Sequence, residues 1–187
     1  MTPEEARELF ERSGAMLTGH FLLSSGRHSD RYVQKARVLE DPAATMALAR
    51  EIASWYESVD VVVAPAVGAI VLGFAVALEA GARSIFAERE EGRMQLRRGF
   101  ELHAGERTLV VEDVVTTGTS AGEVCDLVAS TGATLLGLAA LIDRASGVSQ
   151  LPLRAVLRVE AVTWSPEACP LCAGGRPLDA PGSRHLR

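Results

Sequence analysis

The chain has 187 residues, 48% of them apolar, and a formal net charge of −5. That suffices for one packed domain with a small appendage and excludes a generally basic nucleic-acid or membrane-surface binder. Aromatic residues make up 5%, so Val, Leu, Ala and Ile must fill the interior. Of 19 basic residues all but Lys35 are arginine, so a cationic role away from position 35 falls to Arg. The opening MTPEEARELFERSG lacks an apolar h-region, and the apolar stretch from Val61 to Ala80 is broken by Pro65, Gly68 and Gly73. Three cysteines make no disulfide framework. These features predict a cytoplasmic protein with no signal peptide and no membrane span.

Thr2 and Pro3 open a predicted helix that runs to about Arg12. In GHFLLSSGRHSDRY the first half predicts a short strand, SSGRHSD a polar turn, and His28 a solvated loop residue. Asp41-Pro42 repeats the helix-start signal, with Leu48, Ile52 and Trp55 or Tyr56 on one face up to about Glu57. VDVVVAP reads as a buried strand, AVGAIVLGFAVALEAG as a small-residue helix ending at Gly81, and RSIFAE as a strand. The charged EREEGRMQLRRGFELHAG suggests a long hairpin or mobile loop. RTLVVED is a strand, TSAGEVCDLVASTG a helix and ATLLGLAALIDR a strand; RAVLRVEA offers a last one. The tail from Ser165, rich in Pro, Gly and Cys, is expected to be irregular. The alternation predicts an α/β fold, a mainly parallel central sheet with helices on both faces. Its core spans about 41–145, and a small cap comes from about 1–40 and 146–187.

VVEDVVTTGTSAGE, from Val110 to Glu123, joins the acidic strand to the next helix. Ligands of open parallel sheets bind beyond the carboxyl ends of the strands. There, backbone N–H groups at a helix start, the hydroxyls of Thr116, Thr117, Thr119 and Ser120, and close approach at Gly118 suit a phosphate. Neither G-x-x-x-x-G-K-[ST] nor G-x-G-x-x-G is present. Glu112 and Asp113 would repel a phosphate but can accept from sugar hydroxyls. Phosphate donors at one end and sugar acceptors at the other fit a ribose 5-phosphate.

VVEDVVTTGTS is similar at every position to the diphosphoribosyl-binding signature of the type I phosphoribosyltransferases. The resemblance implies that family's fold and a single domain over 1–187. It also implies 5-phosphoribosyl 1-diphosphate (PRPP) as donor, Mg²⁺ as cofactor, and transfer of the ribosyl group to a base nitrogen. Glu112 and Asp113 would hold the ribose hydroxyls, directly or through the metal, which reaches the protein by way of PRPP. Val114, Val115, Thr116, Thr117, Gly118, Thr119 and Ser120 would continue the PRPP site, with Arg89 on the diphosphate. Arg93 and Asp113 would be the catalytic residues.

GHFLLSSGRHSDRY resembles the F-x-L-x-S-G-x-x-S motif of the family's orotate branch, and LIDR resembles that branch's Asp-Arg strand end. On that resemblance Ser25, Gly26, Thr116 and Arg144 would contact orotate, whose carboxylate a guanidinium can grip with two hydrogen bonds. The product would be orotidine 5′-monophosphate, in pyrimidine biosynthesis. A homodimer is also implied, with segment 89–99 near the neighbouring subunit's site. A purine transferase is the first rival; SSG and Arg144 weigh against it. A non-catalytic PRPP-sensing regulator is the second; the acidic charge and the lack of room for a helix-turn-helix domain weigh against that.

The chain departs from the branch in its cations. The well-known orotate enzymes carry Lys where Ser24 stands and another Lys in the turn that here contains Val67 and Gly68. Arg93 and Gln95 occupy the positions of a loop Lys and His. The chain therefore looks like a shorter-loop variant that uses arginine, with Arg97 and Arg98 left to a mixed-charge surface hairpin. Cys169 and Cys172 stand at metal-ligand spacing in CPLC. A structural zinc needs two further ligands, so reduced thiols are expected ahead of a metal or redox site.

Overall fold

Helix α1, Pro3–Arg12, starts on a reciprocal cap: Thr2 Oγ1 accepts from Glu5 N at 3.2 Å and Glu5 Oε2 from Thr2 N at 2.7 Å. The chain is seen in a computed structural model that describes residues 1–23, 25–144, 152–159 and 162–181. Ser24 and the core–cap boundary at 145 and 146 lie outside the described residues. Strands β1, Met16–Leu22, and β2, His28–Val33, form an antiparallel hairpin. A one-turn helix α2, Ala36–Leu39, precedes α3, Pro42–Ala53, which Asp41 caps through Ala43 N at 2.9 Å. Helix α3 stops short of the predicted Glu57.

The alternating unit then follows. Strand β3 is Val61–Pro65, α4 is Ile70–Ala80 with Gly81 as its left-handed cap, and β4 is Arg83–Glu90. β5, Arg93–Leu96, folds back on β4 through Glu91 and Gly92, both at positive φ, the geometry of a two-residue hairpin turn. Of the two expectations for this segment, a long hairpin or a mobile loop, its first part is a hairpin with a tight turn. β6 is Arg107–Val115, α5 is Thr119–Ser130, β7 is Thr134–Asp143 and β8 is Leu153–Arg158. The tail is more regular than its composition suggests: β9, Thr163–Trp164, pairs with β2, and α6, Pro170–Ala173, follows a 3₁₀ turn at Pro166–Ala168.

The main sheet runs β5-β4-β3-β6-β7-β8, all neighbours parallel except β4 and β5. Alternate side chains enter two cores. Val62, Leu109, Val111 and Leu141 face Phe10, Leu48, Ile52 and Leu72; Val61, Val63, Val110 and Leu138 face Val124 and Val128 of α5. Helix α1 and strand β8 belong to this core although both lie in the segments assigned to the cap. The smaller sheet, β1-β2-β9, draws its strands from both ends of the chain. No described helix is long and apolar enough to cross a membrane.

The order in which the chain winds across the sheet reverses between the parallel strands β3 and β6: β3 leads outward to β4, whereas β6 leads the other way to β7 and β8. Beside that point α4 packs closely on β3 at Gly73, where an added Cβ would meet Ala64 Cβ at 2.8 Å. Gly73→Val is expected to lower the unfolding free energy by about 1–3 kcal/mol, because overpacking outweighs the gain in helix propensity. Urea unfolding followed by circular dichroism reads this directly; an unchanged midpoint would contradict the close packing.

Candidate active site at the sheet's switch point

β6 delivers Glu112 and Asp113 to the crevice, and both are buried, at 9% and 3% exposure. Asp113 is held by an ion pair with Lys35, which stands between β2 and α2. The turn from β3 to α4 closes over this pair. A Cβ at Gly68 would overlap the Asp113 carboxylate and lie 2.7 Å from Lys35 Nζ, so a larger residue there would have to displace the pair. Glu112 Oε1 accepts from Asp113 N at 3.0 Å. Burial, followed by the adjacent Asp113 charge, pushes the Glu112 carboxyl up to about 8, against a weaker pull from Lys35.

Thr116 and Thr117 are exposed beyond the strand end. Thr117 Oγ1 lies 3.0 Å from Thr119 Oγ1 and accepts from Thr119 N at 3.4 Å. Gly118 takes the N-cap position of α5 with φ 77° and no capping side chain, leaving the helix start to present its N–H groups. Val115 is buried and Val114 half-buried, so these two offer the crevice backbone rather than side chain. The Val115 carbonyl accepts from Arg144 N at 2.8 Å, which fixes the end of β7 beside the threonine loop. The Arg144 side chain is partly buried and has no carboxylate partner among the described residues. Burial works against its charge, and only the Tyr32 phenol of β2 favours it.

The hairpin arginines separate into distinct environments. Arg89 donates to Gly92 O and to Glu123 Oε2, each at 2.6 Å, which ties the hairpin to the first turns of α5. Arg97 pairs with Glu90 at 3.2 Å and Arg98 with Glu88 at 2.8 Å. Arg93 is exposed at the hairpin turn opposite Glu90. Ser25 and Gly26 form the turn of the small sheet, with Gly26 N donating to Leu23 O at 2.9 Å, and share no hydrogen bond with the acid pair.

Two residues of this crevice escaped the sequence reading. Lys35 had one visible signal, that it is the sole lysine among arginines. Gly68 was noted only for the cation its turn lacks, whereas its small size is what lets the turn reach Asp113. His28 is also corrected: it is buried, at 5% exposure, and opens strand β2.

The family model for the phosphoribosyl transferase domain matches residues 35–155. An orotate phosphoribosyltransferase of Desulforamulus reducens is 47% identical over 190 residues, covering 100% of both chains. The solved orotate phosphoribosyltransferase from Aeropyrum pernix superposes with TM-score 0.68 at 28% identity, over 82% of this chain and 93% of that one. An adenine phosphoribosyltransferase from Rhodothermus marinus superposes with TM-score 0.66 at 19% identity, over 83% and 99%, a likeness of fold alone. With buried acids, a threonine loop and a near full-length match, the chain belongs to the phosphoribosyltransferase family and, within it, to the orotate phosphoribosyltransferases.

Proposed function

We propose that the protein transfers the 5-phosphoribosyl group from PRPP to orotate, releasing diphosphate and orotidine 5′-monophosphate in de novo pyrimidine synthesis. The observation that carries the choice of base is Arg144. A partly buried guanidinium without a carboxylate partner among the described residues is joined by its own backbone to the strand that bears the phosphate loop. An anionic base supplies the missing partner; a purine does not.

In this reading Thr116, Thr117, Gly118, Thr119 and Ser120 hold the 5-phosphate, with the backbone of Val114 and Val115 behind them. Asp113 and Glu112 hold the ribose hydroxyls, and Lys35 sets the position of Asp113. Two carboxylates at one strand end offer the oxygen donors that Mg²⁺ prefers, and the upward-shifted Glu112 is where a cation would displace a proton. Bound with PRPP, the ion would supply charge stabilisation at the diphosphate.

As the C1–O bond breaks, Arg89 and Arg93 stabilise the leaving diphosphate and Asp113 favours the oxocarbenium-like ring. The orotate nitrogen attacks from the opposite face, oriented by Arg144, Thr116, Ser25 and Gly26. The whole chain acts as one catalytic domain in the cytoplasm. A homodimer is supported by Phe74 and Leu78, each 61% exposed on α4 beside Val71, an apolar face that a second copy would cover. Segment 89–99 then lies near the partner's site.

Incubation with Mg²⁺, PRPP and one of orotate, uracil, adenine or hypoxanthine tests the assignment; consumption of a purine but not orotate contradicts it. Arg144→Ala is expected to raise the orotate KM by about 10–100-fold, the worth of a charged hydrogen-bond pair, with PRPP affinity changed little. Equal loss of both would remove Arg144 from the base site.

Stability should also depend on Glu112. Folded, it keeps its proton to about pH 8; unfolded, it releases it near 4.5. The native state therefore binds more protons in that window, and ligand-free stability falls as pH rises from about 5 to 8. Glu112→Gln is expected to be more stable than the parent by a margin that widens to pH 8 and then levels. Urea midpoints across this range read the effect, and a constant margin would contradict a buried protonated carboxyl.

A further inference from the structure

His20 and His28 of the small sheet meet Cys169 and Cys172 of the tail, remote in sequence and outside the crevice. His20, His28 and Cys169 are buried, at 4%, 5% and 3% exposure; Cys172 is on the outer side. One ligand atom from each lies within 4.8 Å of the other three. His20 Nε2 is 3.0 Å from His28 Nδ1, 3.5 Å from Cys169 Sγ and 3.7 Å from Cys172 Sγ; Cys172 Sγ is 3.2 Å from His28 Nδ1.

Hydrogen bonding accounts for only part of this convergence. His20 Nδ1 lies 2.9 Å from Arg176 O, which can only accept, so Nδ1 carries the proton. His20 Nε2 is then a single lone pair facing three neighbours. A cation shared by all four atoms removes the conflict. Tetrahedral zinc, with bonds of about 2.3 Å to sulfur and about 2.0–2.1 Å to nitrogen, sets ligand spacings of about 3.4 Å for N···N and about 3.6 Å for S···N. The observed 3.0 to 3.7 Å spacings bracket these values. The Arg176 carbonyl is the kind of second partner that orients a metal-bound imidazole.

We propose that His20, His28, Cys169 and Cys172 form a structural zinc site that fastens the C-terminal tail to the small sheet. Each thiol gives up its proton on ligation, so two thiolates and two neutral imidazoles around Zn²⁺ carry no net charge. That neutrality suits a buried position. With four protein ligands no coordination position is left for a substrate, which makes the role structural. The site is independent of the Mg²⁺ expected with PRPP: sulfur and imidazole donors select a softer ion than carboxylates do.

Elemental analysis of the full-length protein, purified without chelator, tests this. One zinc per chain is expected, retained by Cys125→Ser and lost from the Cys169→Ser/Cys172→Ser double variant. Because that variant could also fold poorly, cobalt(II) added to demetallated wild-type protein gives a second reading. Tetrahedral visible bands with thiolate-to-metal charge transfer are expected. Zinc absent from the wild type, zinc retained by the double variant, an octahedral cobalt spectrum, or a Cys169–Cys172 disulfide in place of metal would each overturn the proposal.

Discussion

The ion pair between Lys35 and Asp113 is the constraint around which the crevice is arranged. Asp113 is carried to the crevice by a strand buried on both faces and is itself 3% exposed. A carboxylate in that position needs a cation from the protein, and removing one partner of such a pair costs about 3–5 kcal/mol. Lys35 comes from 78 residues away, which obliges the segment after β2 to pass over the mouth of the sheet. Gly68 follows from the same requirement, because a side chain there would occupy the space of the pair. Glu112 follows as well. The one lysine is committed to Asp113, so burial and its neighbour's charge leave Glu112 with a proton. Adjacent acids thus meet different surroundings: Asp113 has a cation, and Glu112 is pushed toward its neutral form.

The same arrangement separates the tasks of the site along the sheet. The β3–α4 turn and the β6–α5 loop lie on either side of the reversal point, where an open sheet leaves room for a ligand. The acid pair sits at the strand end, the threonine loop one turn further out, and Arg144 at the next strand's end, which is the order the proposed sugar, phosphate and base contacts require. Arg89 reaches the same helix through Glu123, so its guanidinium is pre-positioned by an ion pair. In the proposed reaction a diphosphate would have to draw Arg89 away from that carboxylate, whereas Arg93 is exposed and has no ion pair among the described residues.

The alternating elements were legible because each is decided by nearby residues. Val61 to Val63, Leu109 to Val111 and the small residues of α4 announce a buried parallel sheet and its helix. The threonine loop was legible as a strand-to-helix connection because a helix start is likewise local. What escaped depended on partners far along the chain. HSD looks like turn sequence, yet His28 and Ser29 are strand because they pair with Trp164 and Thr163. The charged segment reads as a hairpin or a mobile loop, and its local turn at Glu91 and Gly92 with the ion pairs of Arg97 and Arg98 decides for the hairpin. CPLC looked incomplete because its two histidines lie about 150 residues earlier.

The tail and the base end of the crevice are mechanically connected. A two-stranded hairpin is marginal by itself, yet the β1–β2 turn carries Ser25 and Gly26, and Tyr32 of β2 stands beside Arg144. The tail reinforces the hairpin on both edges. β9 extends it through His28 and Ser29, Arg27 donates to Thr163 Oγ1 and O at 2.9 and 2.7 Å, and Asp179 exchanges backbone hydrogen bonds with His20 and Leu22 at 2.8 Å. His20 and His28 flank the Ser25–Gly26 turn on the two strands, so a metal joining them to Cys169 and Cys172 clamps the hairpin at the base of that turn. The geometry of the proposed base contacts then depends on residues more than a hundred positions away, which gives a reason for the described part of the tail to be built into the small sheet.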